Sequence, residues 1–175
     1  FQTFANNFDE GDRIFIISSI FGGTGASGFP IILKNIRTAK DNPLLSSTEF
    51  LENAPIGALT VMPYFNIEHS QESQIQKSDW IQKTKSALSY YEKNVTGNNS
   101  VNAMYYLGDR LSKTYENDPG QGGQKNDAHL IEFVGALSVI EYANMDSQYL
   151  QCSNGKAANP IAREYGIKED VHEIT

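Results

Sequence analysis

Apolar and polar runs alternate along the chain in a way that predicts three successive strand and helix pairs. Largely apolar runs, typical of strands that are covered on both faces, occupy Arg13–Phe21, Gly57–Phe65 and Asn102–Leu107. Helices are predicted after them over Phe29–Thr38, Trp80–Lys93 and Asp127–Ala143. The pattern therefore predicts an α/β fold, with a mainly parallel sheet flanked by helices.

The last predicted helix and the segment after it differ in pattern. The helix carries apolar residues at helical spacing, namely Leu130, Phe133, Val134, Leu137, Ile140 and Ala143. Beyond Asn144 the chain is polar and weakly patterned, with one short helix expected at Asn159–Tyr165. A further short helix is expected near Ser47–Asn53, between the first helix and the second strand. We therefore divide the chain into a patterned domain, residues 1–143, and a C-terminal extension of unclear structure, residues 144–175.

Charge and composition narrow the classes of partner and compartment. The net charge of -7 argues against nucleic acid as a partner, because binding a polyanion needs clustered Lys and Arg. No apolar run approaches the roughly 20 residues of a membrane span. The single cysteine, Cys152, cannot form an internal disulfide, which favours a cytoplasmic setting. The chain begins at Phe1 without an initiator Met, which suggests a fragment or a processed product.

A glycine-rich segment between the first strand and its helix is the strongest chemical signal. Gly22-Gly23-Thr24-Gly25-Ala26-Ser27-Gly28 follows the strand, and Pro30 is well tolerated in the first turn of a helix. The N-terminus of a helix has unpaired backbone N–H groups and a partial positive charge, and glycines let an anion approach them closely. The segment therefore predicts a phosphate-binding turn.

The residues around this turn resemble the tubulin family and its bacterial relative FtsZ. That family has a Gly-Gly-Gly-Thr-Gly-(Ser/Thr)-Gly loop after a buried strand, followed by a Pro that starts a helix. Gly22–Gly25 and Pro30–Ile32 match this loop and helix start. Downstream, Leu59–Glu68 is similar to the family's next strand and Asn102–Asp109 to its strand that ends in Asn-Asp.

The resemblance implies that residues 1–143 are part of a Rossmann-like, tubulin/FtsZ-type nucleotide-binding domain. The phosphates of GTP, which is bound with or without Mg²⁺, would contact five consecutive residues, namely Gly22, Gly23, Thr24, Gly25 and Ala26. Asn126, at the start of the long helix, would contact the guanine base or simply cap the helix. The intact protein would be a GTPase that self-associates into oligomers or filaments, with a neighbouring subunit supplying the acid that polarises water. The resemblance identifies no catalytic residue and no metal ligand in this chain.

A second alignment within the same family assigns a different role to the start of the long helix. It places the family's catalytic loop at Asn126–Glu132, so that Asp127, His129 or Glu132 would polarise water. This alignment deletes the central helix of the family, and we prefer the first one. Alternatively, His129 is a surface or capping residue.

Two further interpretations of the glycine turn lead to other functions. Gly22, Gly25 and Gly28 have the spacing of the glycines in NAD(P)-binding short-chain reductases. That family has a strand soon after the helix, and a residue at its end contacts the ribose, whereas Ala39–Leu44 is predicted to be a loop here. Phe21 replaces the first glycine of the tubulin-type loop. A tubulin-like scaffold that binds no nucleotide therefore remains the third alternative.

Overall fold

The computed structural model describes residues 1–45, 48–67, 77–111, 113–116 and 127–165. Its helices are α1 (Gln2–Asn6), α2 (Gly23–Arg37), α3 (Thr48–Glu52), α4 (Lys77–Tyr91), α5 (Leu130–Ala143) and α6 (Ser147–Leu150). Its strands are β1 (Ile14–Ser19), β2 (Ile56–Val61), β3 (Asn66–Ile67), β4 (Ala103–Leu107), β5 (Thr114–Tyr115), β6 (Cys152–Ser153), β7 (Lys156–Ala157) and β8 (Ile161–Tyr165). A 3₁₀ turn follows α2 at Ala39–Asp41, and a π-helical turn extends α4 at Glu92–Thr96.

The main sheet has four strands in the order β1-β2-β4-β8, and every neighbouring pair is parallel. The register aligns Ile14 with Ile56, Gly57 with Ala103, and Ala103 with Ile161. This confirms the predicted α/β fold with a parallel sheet. Because the strands are parallel, their carboxyl ends lie at one edge, which is where open α/β sheets bind ligands.

Helices cover the two faces of this sheet with two separate apolar cores. Alternate strand residues such as Ile56 and Met104 belong to a core with α2, the end of α4 and the N-terminal helix α1. Strand residues of the opposite parity, including Leu59 and Tyr105, pack with Ile131 of α5. The alternation explains why the strands are apolar at nearly every position.

The amino edge of the sheet is closed by two polar side chains. The buried Arg37 guanidinium donates hydrogen bonds to three carbonyl oxygens, those of Ser100, Glu52 and Ala54, each at 2.8 Å. The amide of Asn102 accepts from the backbone N–H of Ile56 and donates to a carbonyl oxygen in α6. Burial lowers the pKa of Arg37. These bonds occupy the edge opposite the glycine turn.

Two predicted helices are corrected by the structure. The helix predicted to begin at Phe29 begins at Gly23, so the glycines form its first turns instead of a loop. The helix expected at Asn159–Tyr165 is wrong, because Ile161–Tyr165 is strand β8 and pairs with β4. Pairing with a sheet edge overrides the weak local pattern. Residues 144–165 thus contribute a strand to the same sheet as the first domain.

The long helix α5 presents its apolar stripe away from the sheet. Four apolar side chains of the predicted stripe are between 46% and 67% exposed, namely Leu130, Phe133, Leu137 and Ile140. Ile131, Ser138 and Tyr142 are buried instead. In the part of the chain that the structure describes, no helix is both long and apolar enough to cross a membrane.

Pro30 lies inside α2, where it cannot donate the hydrogen bond that the carbonyl oxygen of Ala26 would normally accept. The buried Tyr91 hydroxyl donates to that oxygen at 2.9 Å, and the Phe29 and Tyr91 rings pack edge to face. Burial raises the pKa of Tyr91 to about 12, so its hydroxyl remains a donor at neutral pH. The side chain from α4 thus replaces a missing bond within α2.

We expect Tyr91→Phe to lower the free energy of unfolding by about 1–3 kcal/mol, because it leaves a buried carbonyl oxygen unpaired. In a Pro30→Ala background the restored N–H of residue 30 satisfies that oxygen, and the same change should cost less than about 1 kcal/mol. Urea denaturation of the four proteins in this double-mutant cycle measures the difference. An equal cost in both backgrounds would contradict the compensation.

Candidate functional site

The candidate site is the N-terminus of α2, where it meets the carboxyl edge of the sheet. Gly22 is the N-cap residue, with extended backbone angles and no side chain to cap the helix. The first bond of the helix runs from the N–H of Ala26 to the carbonyl oxygen of Gly22, at 2.9 Å. The N–H groups of Gly23, Thr24 and Gly25 therefore have no partner within the helix.

The electrostatic character of this helix end favours an anion. The first turn of α2 contains no acidic residue, whereas Lys34 and Arg37 lie in its last turn. A helix dipole places about half a positive charge at the N-terminus. The turn therefore combines free donors with a positive partial charge, which is the arrangement that binds phosphate groups in proteins.

Gly25 and Gly23 differ in the space that a side chain would have at each position. A Cβ atom on Gly25 would overlap the carbonyl oxygen of Ser19 and lie 3.0 Å from its amide nitrogen. Gly25 is therefore required for the close packing of α2 against the end of β1. A Cβ atom on Gly23 would meet no atom within 4 Å, so its face of the turn is open to a ligand.

Aromatic rings border the turn on the side of the neighbouring strand ends. The Phe21 and Phe65 rings lie 6.0 Å apart, and Phe65 also contacts Tyr64 and Tyr115. Tyr115 belongs to β5, which pairs with β3 beyond the edge of the main sheet. This cluster was not predicted from the sequence, where Phe21 was noted only as a departure from a glycine.

His129 lies beside this cluster and has a capping role. Its Nδ1 accepts a hydrogen bond from the N–H of Ile131 at 3.1 Å, and its Nε2 lies 3.5 Å from an oxygen of Asp109. The ring also packs on Tyr64, with centroids 4.8 Å apart. Both ring nitrogens thus face protein groups, so the geometry favours the capping role over a catalytic one.

The structure brings together five of the six predicted site residues. Gly22 is the N-cap of α2, and Gly23, Thr24, Gly25 and Ala26 form its first turn, but both backbone groups of Ala26 are already bonded. Asn126 lies outside the described residues. Among those residues, no group of three or more His, Cys, Asp or Glu side chains is arranged to hold a metal ion. The turn offers the Thr24 hydroxyl but no carboxylate, so we assign no step to Mg²⁺.

Matched substitutions test the difference between the two glycines. We expect Gly25→Ala to lower the free energy of unfolding by about 1–3 kcal/mol, because its Cβ has no space against Ser19. Gly23→Ala should be neutral or stabilising by up to about 1 kcal/mol, since Ala has the higher helix propensity. Chemical denaturation of both variants provides the comparison, and equal stabilities would refute the close approach at Gly25.

Comparisons with known proteins assign this chain to no family. No family model matches the sequence, and no curated protein or solved structure matches it. The function therefore has to be argued from the geometry of β1, the glycine turn and α2, together with the local resemblance of the sequence.

Proposed function

We propose that this chain binds a nucleotide, with its phosphates on the N–H groups of Gly23, Thr24 and Gly25. One observation carries the proposal: an uncapped helix of 15 residues begins directly at the carboxyl edge of a parallel sheet. Three features support a phosphate ligand there. They are the open space at Gly23, the absence of an acidic residue in the first turn, and the helix dipole.

The preference for GTP rests on the resemblance of the turn and the downstream strands to the tubulin/FtsZ family. By the same resemblance, hydrolysis is coupled to assembly, and a neighbouring subunit supplies the group that polarises water. The capping role of His129 agrees with a catalytic group that comes from elsewhere. We therefore propose a GTPase whose turn binds phosphate and whose catalytic acid is supplied by another subunit.

The reductase alternative has less support. Reductases of that class have a strand soon after the first helix, with a residue at its end that reads the ribose. Here α2 is followed by the 3₁₀ turn Ala39–Asp41 and then by α3. The next strand, β2, leads into Met62 and Pro63, which offer no carboxylate to a ribose hydroxyl.

The proposed self-association can use the exposed face of α5. Leu130, Phe133, Leu137 and Ile140 repeat at alternating spacings of three and four residues, which is the seam of two packed helices. We therefore propose a second copy of this chain as the partner of this face.

Gly23→Asp provides a test of phosphate binding that is separate from folding. A carboxylate in the first turn interacts favourably with the helix dipole but repels phosphate. The free energy of unfolding should therefore be unchanged, while the affinity for GTP falls roughly tenfold or more. Isothermal titration of GTP, ATP and NADPH into the wild type, Gly23→Asp and the control Gly23→Ala measures both selectivity and loss. Unchanged affinity in Gly23→Asp would remove the turn from the site, and tighter binding of NADPH would favour the reductase.

Sedimentation velocity tests the proposed contact between copies. The wild type should shift to larger species as its concentration rises, and the double variant Phe133→Asp/Leu137→Asp should stay monomeric because buried carboxylates oppose association. Leu44→Asp is the matched control, since Leu44 is also highly exposed but lies outside α5. A monomeric wild type up to near-millimolar concentration, or an unchanged profile of the double variant, would exclude this contact.

A further inference from the structure

A groove between α2 and α4 opens directly beside the glycine turn. Its volume is about 580 Å³, within the range of small-molecule pockets. Gly22 and Gly23 line both the groove and the proposed phosphate turn, so a single ligand can contact both. From Gly23, the α2 wall continues to Ile31, about 12 Å along the helix axis.

The walls of the groove combine apolar surface, aromatic rings and a few polar atoms. Phe21 lines it at the turn, and Tyr90, which is 51% exposed, lines it on α4. The hydroxyls of Ser27 and Ser86 donate to carbonyl oxygens within their own helices, so their oxygens still have lone pairs to accept hydrogen bonds. Lys83 contributes a positive charge to the α4 wall.

We propose that this groove binds the purine base and ribose of the nucleotide whose phosphates lie on the glycine turn, an inference that rests on the proposed function. It places the base between α2 and α4 instead of beside Asn126, where the family resemblance alone would put it. The apolar walls and the exposed Tyr90 ring suit a flat base, because bases stack on aromatic side chains with little dependence on sequence. The helix N-terminus and Lys83 are positive, which complements the phosphates. The volume accommodates a nucleoside with room for solvent.

The occupant is placed by continuity with the turn. The groove is the apolar surface next to a phosphate bound at Gly23, and it extends from there between α2 and α4. The oxygens of Ser27 and Ser86 can accept hydrogen bonds from the ring and exocyclic N–H groups of a purine. Ser86 and Tyr90 therefore contribute to the affinity for the nucleoside, whereas the N–H group of Gly23 contributes to the affinity for the phosphates.

Ser86→Trp is the test, because Ser86 lines the groove from an exposed position and a large side chain there fills it. Affinities for GTP and for inorganic tripolyphosphate are measured by isothermal titration on the full chain. In the wild type GTP should bind more tightly than tripolyphosphate. In Ser86→Trp the affinity for GTP should fall to that for tripolyphosphate, which itself stays unchanged.

Two further variants complete the design. Ser89→Trp adds the same side chain at an exposed position of α4 outside the groove, and its affinities should equal those of the wild type. Tyr90→Ala removes a wall without filling the groove and should weaken GTP binding about tenfold, with tripolyphosphate unaffected. It serves in place of Ser86→Trp if the latter does not fold.

The outcomes separate this inference from the proposed function. If GTP binds but neither groove variant alters its affinity, the base lies elsewhere and the inference is overturned, while the phosphate turn stands. If neither GTP nor tripolyphosphate binds to the wild type, the proposed function fails and this inference fails with it. A loss of GTP affinity that is matched by an equal loss of tripolyphosphate affinity also overturns the placement of the base.

Discussion

The candidate site depends on the close approach of Gly25 to the backbone of Ser19, where a side chain on Gly25 would overlap the carbonyl oxygen. Because α2 packs against the end of β1 at this distance, the chain needs only Ile20, Phe21 and Gly22 to pass from strand to helix. The first N–H groups of α2 are therefore held at the carboxyl edge of the sheet. A bulkier residue at position 25 would push the helix away and displace those donors together with it.

The opposite side of α2 is fixed by α4, and this second contact shapes the groove. Tyr91 donates the hydrogen bond that Pro30 cannot. A proline that would weaken an isolated helix therefore leaves a carbonyl oxygen through which α4 binds α2. The same pair of helices forms the walls of the cavity beside the turn. A turn and a groove that are held by the folded framework need little ordering when a ligand binds, which lowers the entropic cost of binding.

The sequence predicted the parallel sheet and a first strand that leads through a glycine-rich segment into a helix, because buried strands and helix starts have local signatures that one chain displays. It placed the start of α2 at Phe29, since glycine is a poor helix former; the packing of Gly25 on Ser19 overrides that preference. Strand β8 looked helical because only its pairing with β4 makes it a strand. The contact between Phe21 and Phe65 joins distant segments and has no local signal at all.

The two edges of the sheet use polar groups in opposite ways. At the amino edge Nε and Nη1 of the buried Arg37 donate to three carbonyl oxygens, and Nη2 faces the sulfur of Cys152, so this cation stabilises the fold. At the carboxyl edge, donors in the first turn of α2 have no partner within their helix. A chain with a net charge of -7 does not attract phosphate over long distances. Any affinity for a nucleotide must therefore come from this local geometry, since screening leaves only groups within about 10 Å able to act strongly on the ligand.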